Sequence, residues 1–359
     1  MADLTLDDTD RPAPARKRGA ALKILIRIVV GAGVFGFLIW RSDVGELWDT
    51  LKEADVGFLF GALGAIFSGL FVSALRWKAY LDALELSLSY ATLFRLYFVG
   101  TFFNAFLPTG IGGDAYKAVR LGRGKESLAP AFASVFLDRF AGVVGMAAIG
   151  LISSAYIVAA GEKDNSGGIT VPLIALGASI LIMGTAALIL LGGEKLLGRG
   201  RLIKHEGIGG RVRRAMRQVH ATGRHPDAAA RGYLFGVVFQ GLVFVYHVMV
   251  AKALGIDQVP IGVFASIVVI SSLATMIPLS VNGLGFREGA YIWALGRYGV
   301  AHDEALAFAL LILAALLLSS IVGGIIYVAL GGEVHGRGLG PTLESARSTA
   351  ADDDELPAP

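Results

Sequence analysis

Runs of roughly 20 apolar residues recur along this 359-residue chain, separated by short polar segments. A helix of about 20 apolar residues spans the hydrocarbon core of a bilayer, which is about 30 Å thick. The pattern predicts an all-α polytopic membrane protein, with polar and disordered tails at 1–20 and 332–359 around a membrane domain at 21–331. The six predicted transmembrane helices lie at 22–40, 57–75, 140–160, 171–192, 232–254 and 305–331.

Two further apolar stretches end in glycine-rich polar sequence instead of continuing across a bilayer. Residues 91–107 run into "LPTGIGGDAYKAVRLGRGK", and residues 260–278 run into "LSVNGLGFREGAY". A crossing at 91–107 would place the basic residues that follow outside the cell, against the positive-inside rule. The segment after the second break, 289–299, has about 11 residues, which cover only half the hydrocarbon as a helix. Both stretches are therefore predicted to be re-entrant hairpins, with breaks at Pro108, Gly112, Gly113, Pro278, Gly283 and Gly285.

The two breaks resemble each other in sequence. "PTGIGGDAY" and "PLSVNGLGFREGAY" each have a proline, then a Gly-Ile/Leu-Gly triplet, then an acidic residue and Ala-Tyr. Each lies between two full spans, within 57–160 and 232–331, and one extra span separates the two units. The second unit would then enter the membrane from the opposite side, which predicts an inverted-topology repeat. Matched Gly- or Pro-interrupted segments in two halves of a transporter usually point to a substrate site at the midplane.

The distribution of lysine and arginine predicts the orientation. Basic residues precede the first span and fill the connector 193–231, whereas the loop at 41–56 is acidic. Because cytoplasmic loops carry the excess of Lys and Arg, both termini are predicted to be cytoplasmic, in the cell membrane. The basic connector is expected to lie on the anionic leaflet, and nucleic-acid binding is not expected beside a membrane.

Composition excludes several kinds of chemistry. Apolar residues make up 55% of the chain and charged residues 17%, and there is no cysteine. Disulfides, thiol catalysis and cysteine-ligated metals are therefore excluded. No zinc-protease, P-loop or nucleophile-elbow pattern occurs. We expect neither an enzyme nor a bound cofactor or metal.

Four motifs, in order, resemble a known family. "ALRWKAYL", "FFNAFLPTGIGGDAYKAVRL", "SVFLDRFAGVVGM" and "IPLSVNGLGFREGAY" are similar to the transmembrane (flippase) region of lysylphosphatidylglycerol synthases, over roughly residues 20–332. The resemblance implies a cavity, built partly from re-entrant helices, that moves a polar-headed lipid between leaflets. The full-length synthases continue into a soluble aminoacyltransferase domain, whereas this chain is expected to be a stand-alone member that ends in an acidic tail. The resemblance thus implies no lysyl transfer and leaves the lipid unnamed.

Ionisable side chains in or near membrane segments are the candidate site, because such groups are costly in hydrocarbon and usually face a cavity or a partner. Arg287 and Glu288, flanked by apolar sequence, are the strongest pair, and Arg287 could receive a lipid phosphate. Asp138 and Arg139 are either functional or an interfacial pair at the start of a span. Asp114 could cap a helix, bind a headgroup, or both. The candidate headgroup-binding residues are Arg76, Asn104, Asp114, Arg120, Asp138, Arg139, Asn282, Arg287 and Glu288.

Lys117, Arg120 and Arg123 recur at helical spacing and so share a broad face, which either binds phosphate or satisfies the positive-inside bias. The expected partners are membrane lipids and, under another interpretation, a lipid-modifying or glycosyl-transferring enzyme docked on the connector. A small-solute or ion transporter is the remaining alternative.

Overall fold

The computed structural model describes residues 15–107, 111–122, 128–199, 226–277 and 279–330, and these form eleven α-helices and no strands. The predicted breaks at Pro108 and Pro278 lie outside the described residues, as do most of the two tails and residues 200–225 of the connector. In chain order the helices are α1 (Ala15–Trp40), α2 (Val44–Glu53), α3 (Val56–Ala83), α4 (Tyr90–Phe106), α5 (Gly112–Gly122), α6 (Ala129–Ala160), α7 (Thr170–Arg199), α8 (Pro226–Ala253), α9 (Val263–Met276), α10 (Phe286–Gly296) and α11 (His302–Ala329).

Five of the six predicted spans correspond to helices that are long and apolar enough to cross a membrane. These are α3, α6, α8 and α11, together with Thr170–Leu188 of α7. The first predicted span lies within α1, which meets the same criteria only when it is joined to α2, and the two helices meet at 87°. The all-α membrane fold is confirmed, with five or six spanning candidates among the described residues.

The acidic segment after the first span was expected to be a loop, and it contains a helix instead. Asp43 caps α2 by accepting hydrogen bonds from the backbone N–H groups of Gly45, at 2.8 Å, and Glu46, at 3.3 Å. Leu47 on its inner face is buried with Leu306 and Ala307 of α11. The capping acid and the burial of Leu47 against α11 both favour a helix in this short segment.

Both break regions contain two short helices that fold back on one another. In the first, the backbone N–H of Gly113 in α5 donates to Asn104 Oδ1 in α4 at 2.9 Å. A Cβ on Gly113 would lie 1.7 Å from the carbonyl oxygen of Gly100, so only glycine permits this approach. In the second, Gly283 and Gly285 have φ of 74° and 83°, and a Cβ on Gly283 would lie 2.6 Å from Thr275 Cα. The predicted break glycines thus lie in or directly beside the connections, with Gly112 and Gly113 as the first residues of α5 and Gly285 just before α10.

Two units of four helices make equivalent contacts. In the first unit α3 contacts α4 and α6, and α5 contacts α4 and α6. In the second unit α8 contacts α9 and α11, and α10 contacts α9 and α11. Between the units, α3 packs along α8. The contact of α4 with α11 corresponds to that of α9 with α6, and the contact of α3 with α11 corresponds to that of α8 with α6. An internal repeat predicts this arrangement, and the opposite orientation of the units across a bilayer stays a prediction.

The loop between α6 and α7 is fixed to the end of α10 by one carboxylate. Asp164 Oδ2 accepts from Arg297 Nε at 2.9 Å, while Asp164 Oδ1 accepts from the backbone N–H groups of Ser166 and Gly168 and from the Ser166 hydroxyl. Burial raises the pKa of Asp164, but these hydrogen bonds outweigh it and lower the pKa from 3.8 to about 2.

Replacing Asp164 with asparagine should lower the melting temperature by a few degrees at neutral pH, because Arg297 loses its charged partner. A carboxylate with a depressed pKa stabilises the fold above its unfolded-state pKa, and the stabilisation disappears as the pH falls through the folded-state pKa. The difference between wild type and Asp164→Asn should therefore shrink from about pH 4 to about pH 2. Thermal melts across this range test it, with Asp257→Asn as the control, because the Lys252–Asp257 pair is exposed and should contribute almost nothing.

Candidate functional site

Arg76 and Asp138 form a buried ion pair between two long helices of the first unit, α3 and α6. Arg76 Nε of α3 donates to Asp138 Oδ1 of α6 at 2.7 Å, and the two side chains are 4% and 0% exposed. The Tyr97 hydroxyl of α4 donates to Asp138 Oδ2 at 3.3 Å. Asp138 thus joins three helices, and its carboxylate is buried in protein contacts rather than exposed at a helix end.

The reason is that α6 begins eleven residues before the predicted span. Its first turn contains Pro130, which lacks the backbone N–H that a first turn leaves unpaired anyway. Asp138 therefore lies more than two turns inside the helix. The hydropathy pattern placed the boundary after the charged pair because two adjacent charges interrupt the apolar run.

Lys117 extends the ion pair into the first hairpin. Its Nζ lies 3.8 Å from Asp138 Oδ2 and 3.1 Å from Asp114 Oδ1, and its side chain is buried. The ammonium group also lies over the rings of Tyr97, at 4.6 Å, and Trp77, at 5.1 Å. The basic face of this helix was predicted, but the direction of Lys117 into the protein was not, and it was not among the candidate residues.

Arg139 brings the series of charges to the surface. Its Nε donates to Asp114 Oδ2 at 2.7 Å and its Nη2 to Asp114 Oδ1 at 3.1 Å, with the arginine side chain 55% exposed. Among the described residues, the hydrogen bonds and ion pairs of the Asp114 carboxylate go to Arg139 and Lys117, so the expected helix cap is not what occupies it. We call Arg76, Asp138, Lys117, Asp114 and Arg139 the charge cluster. It contains three cations and two anions, and the energetic cost of burying them is offset only because each charge has a close partner.

In the second unit, Arg287 and Glu288 pair with each other. Arg287 Nη2 donates to Glu288 Oε1 at 2.7 Å, and Arg287 Nε donates to the same oxygen at 3.1 Å. Glu288 Oε2 accepts from the backbone N–H of Gly285 at 2.7 Å and caps the start of α10. Glu288 is fully buried, whereas the Arg287 side chain is 13% exposed. Glu288 therefore holds the arginine in place, and Arg287 is also one of the residues that line a cavity.

That cavity lies between α8, α9, α10 and α11 and has a volume of about 160 Å³. Seven of its nine lining residues carry a polar or ionisable group, although the surrounding helices are apolar. The lining residues are Val243, Tyr246, His247, Ser271, Ser272, Thr275, Arg287, Tyr291 and Leu316.

His247 is the main residue of this site that the sequence analysis missed. It is buried, its Nδ1 lies 2.7 Å from the carbonyl oxygen of Val243, and its Nε2 lies 2.8 Å from the Tyr291 hydroxyl. A single histidine in an apolar span is a weak signal, but an ionisable side chain within a membrane segment is itself a reason to suspect a site.

The two hairpin turns meet each other directly. Asn282, with φ of 52°, donates through its Nδ2 to the carbonyl oxygens of Asn104, at 2.6 Å, and Ala105, at 2.9 Å. The predicted residues Asn104 and Asn282 are thus joined, and both serve the contact between the hairpins.

The remaining candidate residues are divided between two places. Arg76 and Arg287 belong to different clusters and share no partner among the described residues, so a single phosphate held by both is not supported. Arg120 is half-buried beside Tyr116, and Arg123 lies outside the described residues.

Comparison with known proteins identifies the family. A family model described as the lysylphosphatidylglycerol synthase TM region matches residues 24–324. A UPF0104 membrane protein of Methanothermobacter thermautotrophicus is 27% identical over 305 residues, which cover 79% of this chain and 88% of that protein. A second UPF0104 membrane protein, from Pyrococcus horikoshii, is 23% identical over 165 residues, or 45% of this chain and 47% of that protein. The resemblance seen in the sequence motifs is confirmed, and the chain is a multi-pass membrane protein that belongs to the lysylphosphatidylglycerol synthase transmembrane region family.

Proposed function

We propose that this protein binds the headgroup of a phospho- or glycolipid and moves it between the leaflets of the membrane. The observation that carries the proposal is the cavity beside Arg287, a polar space of about 160 Å³ within an apolar helix bundle. Hydrocarbon cannot solvate an arginine, so the Arg287 guanidinium requires a polar ligand or water beside it. The family is named after the transmembrane region of a lipid synthase, which supports a lipid as that ligand.

The size of the cavity favours a headgroup over a whole ligand. Pockets that enclose a small molecule usually measure about 300–1,000 Å³. A cavity of about 160 Å³ is too small for a complete lipid and is large enough for a phosphate group with a few waters. The acyl chains would therefore stay in the bilayer while the headgroup occupies the protein.

The short helices support a re-entrant geometry. α4 has 17 residues, α9 has 14, and α5 and α10 have 11 each. At 1.5 Å per residue these helices are about 26, 21 and 17 Å long, which is less than the roughly 30 Å of hydrocarbon. Two such hairpins that meet at their turns would place the cavity near the midplane, and rocking of the two units would expose it to either side. Cytoplasmic termini, and docking of a lipid-modifying enzyme on the connector, stay predictions.

Replacing Arg287 with alanine should slow lipid movement about tenfold to a hundredfold. The expectation follows from the roughly 1.5–3 kcal/mol that a hydrogen bond to a charged group contributes. Arg287→Lys should slow lipid movement less than Arg287→Ala, because a lysine can still pair with Glu288. It should still be slower than wild type, because lysine cannot form a bidentate contact with a phosphate. The measurement is the redistribution of fluorescent phospholipids in proteoliposomes, with Arg95→Ala as the matched control because Arg95 is an exposed arginine of α4.

Equal rates in wild type and in a folded Arg287→Ala variant would contradict the proposal, as would the absence of any redistribution by wild type. Uptake of a soluble anion without lipid movement would assign the protein to solute transport instead. Deletion of 200–225 tests the third alternative, a membrane partner that docks a lipid-modifying enzyme. The deletion should abolish enzyme docking and leave lipid movement intact.

A further inference from the structure

The hydrogen bonds of His247 determine which tautomer its neutral imidazole adopts. Its Nδ1 lies 2.7 Å from a backbone carbonyl oxygen, that of Val243, and a carbonyl oxygen only accepts hydrogen bonds. Nδ1 must therefore carry a proton, and in the neutral ring Nε2 has a free electron pair that accepts from the Tyr291 hydroxyl. The ring can take up one more proton at Nε2 without moving, provided that Tyr291 turns its own proton elsewhere.

Tyr291 has such an alternative. Its side chain lines the cavity together with Arg287, and the Ser271 hydroxyl also contacts it. A hydroxyl that accepts from a protonated Nε2 can donate its own proton to an anion in the cavity. In that arrangement the hydrogen bond between His247 and Tyr291 would run from Nε2 to the hydroxyl oxygen instead of the reverse.

The fixed charges around the cavity sum to zero before any ligand binds. Arg287 contributes one positive charge and its buried partner Glu288 one negative charge. An anion added to this site would introduce a negative charge in surroundings of low dielectric, where an uncompensated charge is expensive. A proton on His247 would restore neutrality.

Few charged or titratable groups of the described residues face His247, so the proton that restores neutrality can be assigned to this side chain. From α10 they are Arg287, Tyr291 and, through the arginine, Glu288, and from α8 itself Tyr246, whose ring centroid lies 4.3 Å from that of His247. α9 contributes the hydroxyls of the cavity lining, whereas α3 and α11 contribute apolar neighbours such as Ile66 and Phe308. Among these groups, His247 is the one that can take up a proton at a ring nitrogen, Nε2, and keep its hydrogen bond to the carbonyl oxygen of Val243.

We infer that the cavity binds the monoanionic phosphodiester of its ligand together with one proton from water, which His247 accepts at Nε2. The inference rests on the proposed function for the nature of the ligand, and it supplies that function with a proton-coupled step. Because binding takes up a proton, the affinity for the anion should rise as the pH falls.

The test measures anion affinity from pH 5.5 to 8.5 by titration calorimetry on the full chain in nanodiscs. The probes are dihexanoylphosphatidylglycerol, an anionic lipid, and dimethyl phosphate, a soluble diester that does not titrate in this range. In wild type the dissociation constant should increase by up to tenfold per pH unit, over the range in which the anion-bound protein holds the proton and the free protein does not. Dihexanoylphosphatidylcholine, whose headgroup carries its own cation, should show no such slope.

His247→Gln should bind the anion with no pH slope, because glutamine keeps a hydrogen-bonding side chain but takes up no proton. His302→Gln is the matched control and should keep the wild-type slope, since His302 lies at the start of α11, where its Nε2 contacts the carbonyl oxygen of Leu38. Tyr291→Phe, which keeps the ring and the histidine, should keep the slope but bind more weakly. If His247→Gln does not fold, the slopes of wild type and Tyr291→Phe still decide the question.

A pH-independent affinity in wild type would overturn the inference, and so would an unchanged slope in His247→Gln or no binding of either anion. A slope with the lipid assigns the headgroup as the source of the anion, and a slope with dimethyl phosphate alone assigns a free phosphodiester. Proton-linked binding without redistribution of labelled lipid would remove the proposed function and leave the proton uptake standing, whereas redistribution without a pH slope would do the reverse.

Discussion

Asp138→Asn is expected to destabilise the protein by about 3–5 kcal/mol, the range for removing one partner of a buried ion pair. The Arg76 side chain is 4% exposed and would lose the carboxylate that pairs with it, whereas the buried Lys117 would keep Asp114 at 3.1 Å. Arg76 Nη1 already has no hydrogen-bond partner among the described residues, so the guanidinium is incompletely satisfied even before Asp138 is replaced. Reversible unfolding of the reconstituted protein, followed by tryptophan fluorescence, measures the loss.

Asp82→Asn is the control for this prediction. Asp82 pairs with Lys78 at 2.8 Å one turn away on α3, but its side chain is 38% exposed, so its removal should cost less than about 1 kcal/mol. The double variant Arg76→Leu with Asp138→Leu should recover part of the loss, because an apolar pair leaves no buried charge unpaired. Equal losses in Asp138→Asn and Asp82→Asn would show that burial does not set the strength of the cluster.

Gly113→Ala is expected to prevent the first hairpin from closing. The added Cβ would lie 1.7 Å from the carbonyl oxygen of Gly100, a backbone atom of α4 that cannot rotate away. Overpacking of a core usually costs about 1–3 kcal/mol, and a clash between two backbones should reach or exceed the upper end of that range. The yield of folded protein and its melting temperature report the effect.

Gly289→Ala tests the same substitution where there is room. Gly289 lies in α10 at the matching end of the second hairpin, and no atom lies within 4 Å of its ideal Cβ position. Alanine should stabilise this helix by about 0.5–1 kcal/mol, because glycine in a helix loses more backbone entropy. If both variants destabilise the protein equally, the close approach of α4 and α5 is not the cause.

Apolar run length was sufficient to predict the spans, because a bilayer requires about 20 apolar residues and leaves the sequence few other solutions. Apolar run length failed to predict helices, or parts of helices, that contain several charged residues. α6 begins at Ala129, before two charges that a hydropathy window treats as a boundary, and α2 forms in a segment too acidic for that window. In both cases local signals, Pro130 and the capping acid Asp43, mark the helix start more accurately than the apolar pattern does.

Side-chain partners were harder to predict than helices. The motifs contained Arg76, Asp114, Asp138 and Arg139, but their joining through Lys117 depends on how α5 folds back against α4 and α6. His247 lies far from Tyr291 in sequence, and only the packing of α8 against the second hairpin brings the two together. Contacts between residues distant along the chain leave no periodic signal in a single sequence.

The amide of Asn282 makes the two turns mechanically dependent on each other. It donates to two backbone carbonyl oxygens of α4, so neither turn can withdraw without breaking hydrogen bonds worth about 1 kcal/mol each. Opening one half of the molecule therefore pulls on the other half at the same point. In the proposed lipid movement, the two turns would therefore separate in one concerted step rather than one after the other.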